Sequence, residues 1–270
     1  MMRQILDKDI HNELITAFLL GWRLKPETIT EFRGALSACD SYITSTKIEN
    51  SIELGYPFDG KAKNPYIFPL AANILKNSEL NLVVVGDEKL PSKNGTTMKE
   101  ICTNIALESN IHYFDRADFF NELHQLTDLR KLLGLRTGLN TIEKLPKVAN
   151  SEYAITGVFH KPYVKKYIDI FAQRYKRFAL IQGNEGTPEL FSKGNLWITE
   201  NGNVEEFAIN PEKYGVNYKK ALESITMPDS LEQLNEPSDE LLKIAKLNAA
   251  ILLFVAQRAK SIDEAYERLN

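Results

Sequence analysis

Only two cysteines, Cys39 and Cys102, occur in 270 residues, with no CxxC spacing and no histidine beside either. That excludes a disulfide framework and a zinc ribbon. Each lies in a stretch with helical apolar spacing, so both are expected as reduced, buried thiols. There are four histidines, and no Ser-His-Asp or metal-ligand constellation can be assembled from sequence neighbours. No charge of one sign dominates. Thirty-three Lys and Arg stand against 36 Asp and Glu, a net charge of −3, which excludes a global cationic field for nucleic acid or anionic membrane but permits a local patch. The longest apolar run, around 247–255, falls well short of the roughly 20 residues of a spanning helix. The first residues, Met1-Met2-Arg3, are followed at once by Asp7, Asp9 and Glu13, which leaves no apolar secretory core, and a cytoplasmic location is expected. What remains is an ordinary globular composition, 43% apolar and 26% charged, long enough for one large domain or two unequal ones.

Residues 9–43 read as an αα-hairpin. Ile10, Leu14, Ala17, Phe18, Leu20 and Leu24 recur at helical spacing, Lys25-Pro26 interrupts, and Thr28 with Glu31 forms a capping box ahead of Phe32, Ala35, Leu36 and Cys39. Leu19, Leu20 and Trp22 extend apolar character around the first helix, which fits a buried dimer face. Residues 51–64 shift to Gly, Pro, Asp and Lys. A helical run over 69–75 then leads into the apolar run 82–86, read as a buried parallel strand. Thr97 and Glu100 cap another helix, and 119–133 reads as one strong helix. Further on, 153–158, 163–175 and 177–183 alternate as strand, helix and strand, the pattern of a parallel sheet covered by helices. Residues 196–199 and 204–209, joined at Asn201-Gly202, read as a hairpin at the sheet edge. Residues 226–238 read as a surface loop, 239–258 as a long helix, and Ser261 with Glu264 as the cap of a terminal one.

Five segments in order resemble the anthranilate phosphoribosyltransferase family: AFLLGWRLKPETITEFRGAL at 17–36, LRKLLGLRTGLNT at 129–141, GVFHKPYVKKY at 157–167, ALIQGNEGTPEL at 179–190 and LNAAILLFVAQRAKSIDEA at 247–265. The resemblance implies an α/β fold with a small N-terminal all-helical domain and a mostly parallel central sheet covered by helices. It divides the chain into a helical domain over 1–50, with helices from about 96–134 packing on it, and an α/β domain over 51–270. The first helix of the family is expected to be missing. The resemblance further implies phosphoribosyl diphosphate held with Mg²⁺ in a cleft, and a homodimer formed through the helical domain.

The loops depart from that family's pattern. Its GTGGD diphosphate loop and N-x-S-T fall on 55–68, where Tyr56, Pro57, Phe58, Tyr66 and Phe68 stand in place of glycine and small polar residues that let phosphate approach the backbone. Its Asp-Glu metal pair falls on Pro188-Glu189, leaving Glu189 with Glu185 as the candidate Mg²⁺ ligands. The stretch FDGKAKNPYIFPL at 58–70 instead resembles a paralogous branch that keeps the fold, lacks the usual chemistry and has been linked to nucleic acid. The phosphate-site candidates are Asp59, Gly60, Lys61, Lys63 and Asn64 on this loop, Gly86 after a strand, and Lys93, matched to the family's second phosphate run despite the repelling Asp87-Glu88. Arg130 is matched to the acceptor arginine, His160 lies in a turn after a strand, and Asn184 follows another. Arg136 and Thr137 read as fixing a loop.

Three functions follow as expectations. The first is a cleft that binds a phosphorylated small molecule or single-stranded nucleic acid without the family's tryptophan-biosynthesis chemistry. The second is an active pentosyl transferase, and the third a dimeric non-catalytic scaffold. Nucleic-acid binding requires Lys61, Lys63, Lys131, Lys144 and Lys147 to line one groove; scattered lysines leave the small-ligand version.

Overall fold

A computed structural model describes residues 1–269. In chain order the helices are α1 (Met2–Leu6), α2 (Asn12–Leu24), α3 (Ile29–Asp40), α4 (Phe68–Leu75), α5 (Met98–Asn104), α6 (Arg116–Phe119), α7 (Asn121–His124), α8 (Thr127–Leu133), α9 (Leu139–Ile142), α10 (Tyr163–Phe171), α11 (Met227–Asn235), α12 (Asp239–Val255) and α13 (Ile262–Arg268). The strands are β1 (Ser51–Gly55), β2 (Asn81–Gly86), β3 (Ile111–Asp115), β4 (Tyr153–Gly157), β5 (Arg177–Ile181), β6 (Gly194–Glu200) and β7 (Asn203–Ile209). They form one sheet in the order β3-β2-β1-β4-β5-β6-β7. The first five strands in that order are parallel and the β6–β7 hairpin is antiparallel at the edge.

Strand alternation divides the core in two. Leu82 and Val84 of β2, with Ala179 and Ile181 of β5, face a core shared with α4, α5, α12 and α13. Their neighbours Val83, Val85, Phe178 and Leu180 face the opposite way, onto a core that continues without a break into α1–α3 and α10. Helix α12 is apolar on nearly every side because the sheet, α4 and α13 enclose it. Cys39 and Cys102 are free and buried, and burial pushes both thiols up to about 12.

The sheet carries two strands the sequence did not announce. The central one, β1, has Glu53 at its middle, and this buried carboxylate accepts hydrogen bonds from the Lys147 backbone N–H at 2.9 Å and the Tyr175 hydroxyl at 2.7 Å. Strand β3 carries His112 and Asp115 among its five residues. Other differences have local causes. The 226–238 stretch holds α11, opened by a capping box between Thr226 and Asp229 and by a proline in the first turn. The expected helix over 119–133 is broken into short ones: Phe120, at φ −150° and ψ 62°, divides α6 from α7, and Gln125-Leu126 divide α7 from α8. Helix α5 buries Met98, Ile101 and Cys102 in the α12 core, whereas the sequence reading placed it with the N-terminal hairpin. Along α2 the inward face is Ile15, Leu19 and Trp22, while Leu14 and Leu24 of the expected core stripe are exposed. The short α1 precedes the hairpin and seals its base with Met2, Ile5 and Leu6. No helix among the described residues is long and apolar enough to cross a membrane.

Candidate ligand cleft

The C-terminal ends of β1, β4 and β5 meet the end of α2 around a cleft of about 540 Å³, the position where open parallel sheets usually bind ligands. Two walls face it. Thr137, Asn140, Thr141 and Lys144, on and around the single turn of α9, line one, and Tyr163, Lys166 and Tyr167 of α10 line another. Gly138 lets the first wall close onto α2, since a Cβ there would stand 2.7 Å from the Trp22 ring. The lining carries five cationic side chains, Arg23, Lys93, Arg136, Lys144 and Lys166, against three carboxylates, Glu27, Asp59 and Glu185.

All three carboxylates are engaged. Glu27 pairs with Lys166 at 2.9 Å. Asp59 accepts the Arg136 guanidinium and lies 3.8 Å from the Lys93 ammonium. Glu185, held at a left-handed φ of 54°, accepts the backbone N–H groups of Ala62 and Lys63 at 2.7 and 3.0 Å. Lys93 also donates to the Glu185 carbonyl at 2.7 Å, and burial holds its ammonium below the usual lysine range against the attraction of Asp59 and Glu185. Arg23 and Lys144 have no carboxylate within ion-pair distance among the described residues.

Behind the cleft wall, the 56–68 loop is closed on itself. The Lys61 side chain is fully buried, ion-paired with Glu189 and bonded to the Pro65 carbonyl at 2.7 Å, with its ammonium 4.7 Å from the Phe191 ring and 5.5 Å from the Tyr66 ring. Glu189 accepts from the Tyr56 hydroxyl at 2.6 Å, from Lys61, and from the backbone N–H groups of Ile67 and Phe68 at 2.6 and 3.2 Å. Tyr56, Tyr66 and Phe68 pack edge to face around the pair, and burial pushes both phenols well above their ordinary value, so Tyr56 remains a donor. This arrangement does not fit Mg²⁺, which requires free carboxylate oxygens. Glu189 accepts from four donors, each oxygen of Glu185 is already held by a backbone N–H, and no group of three or more His, Cys, Asp and Glu among the described residues could hold a metal.

The residues expected to hold phosphate are therefore dispersed. Asp59, Lys93 and His160 reach the cleft, as does Glu185, which was expected as a metal ligand. Lys61 does not, being consumed by Glu189, and Gly60 makes a φ +78° turn packed against the carbonyls of Gly95 and Thr96. Lys63 donates to the Leu222 carbonyl on the surface. Asn64 and Asn184 satisfy each other and the Tyr218 hydroxyl at 3.0–3.4 Å. The open side of Gly86 is filled by the Tyr113 ring. Arg130 is 1% exposed, forked onto Glu143 at 2.6 and 2.9 Å, so its charge is spent inside the core beside Arg116. The His160 carbonyl accepts from the Tyr163 N–H at the entry to α10, and its ring lies in the cleft, edge-on to Phe159. Sequence reasoning passed over Arg23, Asn140, Tyr163, Lys166 and Tyr167, and named Lys144 only among the lysines of a nucleic-acid groove. Their only signal was the helical spacing of polar groups at 137–144 and of aromatic and basic groups at 163–167.

A mostly parallel sheet with helices on both faces and a cleft at the strand ends defines the class as an open α/β fold. The chain belongs to the glycosyl transferase family, whose a/b-domain model matches residues 97–270. It is 28% identical to an uncharacterized protein of Aquifex aeolicus, over all of this chain and 90% of that one. It is 23% identical to an anthranilate phosphoribosyltransferase of Neisseria meningitidis, over 98% of this chain and 82% of that one. Among solved structures, the Thermus thermophilus anthranilate phosphoribosyltransferase superposes with a TM-score of 0.78 at 17% identity, covering 99% of this chain and 87% of that one. The Saccharomyces cerevisiae enzyme in complex with phosphoribosyl diphosphate and Mg superposes with a TM-score of 0.78 at 15% identity, covering 99% and 85%.

Proposed function

We infer that this anthranilate phosphoribosyltransferase-like chain binds a small phosphorylated molecule in the cleft and does not perform Mg²⁺-assisted phosphoribosyl transfer. The observation that carries this reading is the contrast in charge. The carboxylate matched to the family's metal pair is neutralised internally by Lys61, while the cleft presents an excess of cations over carboxylates that are already engaged. Phosphoryl and pentosyl chemistry needs the leaving diphosphate neutralised as the bond breaks, and here the fixed cation belongs to the core rather than to a ligand. The lysines named for a nucleic-acid groove point apart: Lys61 is buried, Lys63 and Lys147 bond backbone carbonyls, Lys131 pairs with Glu88, and only Lys144 lines the cleft. That favours the small ligand over a polyanion.

The test is calorimetric titration with phosphoribosyl diphosphate, with and without Mg²⁺, and with a single-stranded oligonucleotide at low and moderate salt. Binding of the sugar phosphate that is indifferent to Mg²⁺ is the expected result. Mg²⁺-dependent binding with release of diphosphate to an acceptor would restore the transferase, and oligonucleotide binding that fades with salt would restore the nucleic-acid reading. The exposed Leu14 and Leu24 on α2 support a homodimer through the helical hairpin, and Leu14→Glu is expected to give a monomer by light scattering.

A further inference from the structure

Lys144 differs from every other cation of the cleft except Arg23 in having no acidic partner, and it differs from Arg23 in being buried. It is 8% exposed, and its one close contact beyond packing is the face of Tyr167, 5.4 Å from the ammonium. On the same wall lies Thr137, 4% exposed, whose hydroxyl has no hydrogen-bond partner among the described residues. Asn140, between them in sequence and also in the cleft lining, accepts the Thr137 backbone N–H on its side-chain oxygen at 2.8 Å, and its amide N–H₂ has no partner among the described residues. A buried hydroxyl without a partner is unfavourable in a finished core, and an ammonium that lines a cleft without a counter-charge is open to an anion. On one wall of a cleft the two are complementary to an anion that supplies what both lack.

We propose that Lys144 and Thr137 form an oxyanion subsite, assisted by Asn140, that anchors the ligand's charged head on the 137–144 wall rather than on the 57–64 loop. The inference rests on the reading that the cleft binds a small anionic molecule, and it adds which residues recognise the charge. The head is compact and tetrahedral or planar, a phosphate monoester or a carboxylate. A single ammonium, one hydroxyl and one amide suit such a group better than an extended diphosphate, which calls for a cradle of backbone N–H groups or a metal.

The experiment measures thermal unfolding and calorimetric binding of the whole chain with inorganic phosphate and, separately, acetate, at constant ionic strength. Wild type is expected to be stabilised in proportion to ligand occupancy by at least one of them, and the stronger of the two identifies the head. Lys144→Met is expected to weaken that binding at least tenfold while leaving the ligand-free midpoint near that of wild type, because the ammonium it removes lies at the cleft rather than sealed in the core. Thr137→Val is expected to weaken binding severalfold, Lys144→Arg to retain most of it, and Lys131→Met, which deletes the same charge outside the cleft, to leave it within twofold. Binding that survives Lys144→Met unchanged, or a loss equalled by Lys131→Met, overturns the subsite and spares the cleft reading. A lowered ligand-free midpoint in Lys144→Met, with binding intact in Thr137→Val, assigns Lys144 to packing on Tyr167 and also overturns it. No binding of either anion to wild type overturns the subsite, and the cleft reading then stands or falls on the sugar-phosphate titration.

Discussion

The 56–68 loop and the 137–144 wall hold the two most deeply placed lysines near the strand ends, and the two are treated in opposite ways. Lys61 has everything a buried ammonium needs: the Glu189 carboxylate, the Pro65 carbonyl and two aromatic faces. Lys144 has only the face of Tyr167. A buried ion pair whose remaining lone pairs and protons are all satisfied can persist without contributing to function, because breaking it is costly even where forming it gains little. A cation that lines a cleft without an acidic partner is free to meet a charge brought from outside the fold. The difference teaches that the loop's charge is spent in the core, whereas the wall's charge is left to the cleft.

The sharpest way to break the comparison is to remove the partner on the satisfied side. Glu189→Ala strands the Lys61 ammonium and leaves the Tyr56 hydroxyl and the backbone N–H groups of Ile67 and Phe68 without their acceptor. The expected loss is about 3–5 kcal/mol in urea unfolding. The double variant Lys61→Met with Glu189→Gln is expected to recover most of it, since neither charge then remains to be compensated. A loss under about 1 kcal/mol in the single variant would mean that water reaches the pair and that the loop is not sealed.

Glu53 supplies an intermediate case, a buried carboxylate with neutral donors and no ion pair. Burial pushes its acid up to about 7, although the hydrogen bonds from Tyr175 and Lys147 act the other way. The sign follows from linkage. Below about 4.5 both the folded and the unfolded chain hold this proton; between 4.5 and 7 the unfolded chain releases it and the folded chain keeps it, so stability falls as pH rises and levels off above about 7. The span corresponds to about 3 kcal/mol. Glu53→Gln keeps an acceptor for both donors but cannot ionise. The wild-type minus Glu53→Gln stability difference is therefore expected to decline between pH 4.5 and 7 in denaturant titrations, and a flat difference would show the carboxylate to be solvated.

Much of the fold was legible because its signals are local. Capping boxes at Thr28 and Thr97, the Pro26 break and the apolar run of β2 each report on their own neighbourhood. Strand β1 was not legible because its central residue is a glutamate whose burial depends on Tyr175 and Lys147, more than 90 residues away in sequence. The cleft was half legible for the same reason. Resemblance drew attention to Lys61 and Arg130, whose neutralising carboxylates, Glu189 and Glu143, are visible only in three dimensions. Lys144 carries no motif, and its significance lies in the absence of a partner.

The smallest expected effect tests whether the wall is held by the helical hairpin. Gly138 has ordinary backbone angles, φ −56° and ψ −28°, so an alanine there meets no conformational penalty, and any cost must come from contact. Its Cβ would lie 2.7–2.9 Å from three atoms of the Trp22 ring, which is itself wedged between Phe18 and Phe32 at centroid separations of 5.6 and 5.3 Å. The ring has little room to yield, and Gly138→Ala is expected to cost about 1–3 kcal/mol. Because the displaced segment carries Thr137 and Asn140, the same substitution is expected to weaken anion binding more than it weakens the loop side, where Glu189→Ala acts on stability alone. Relief by Trp22→Phe, which shortens the ring at the point of contact, would tie both losses to this one approach of α2 to the cleft wall. A Gly138→Ala protein with unaltered stability and binding would show that the hairpin does not hold the wall in place.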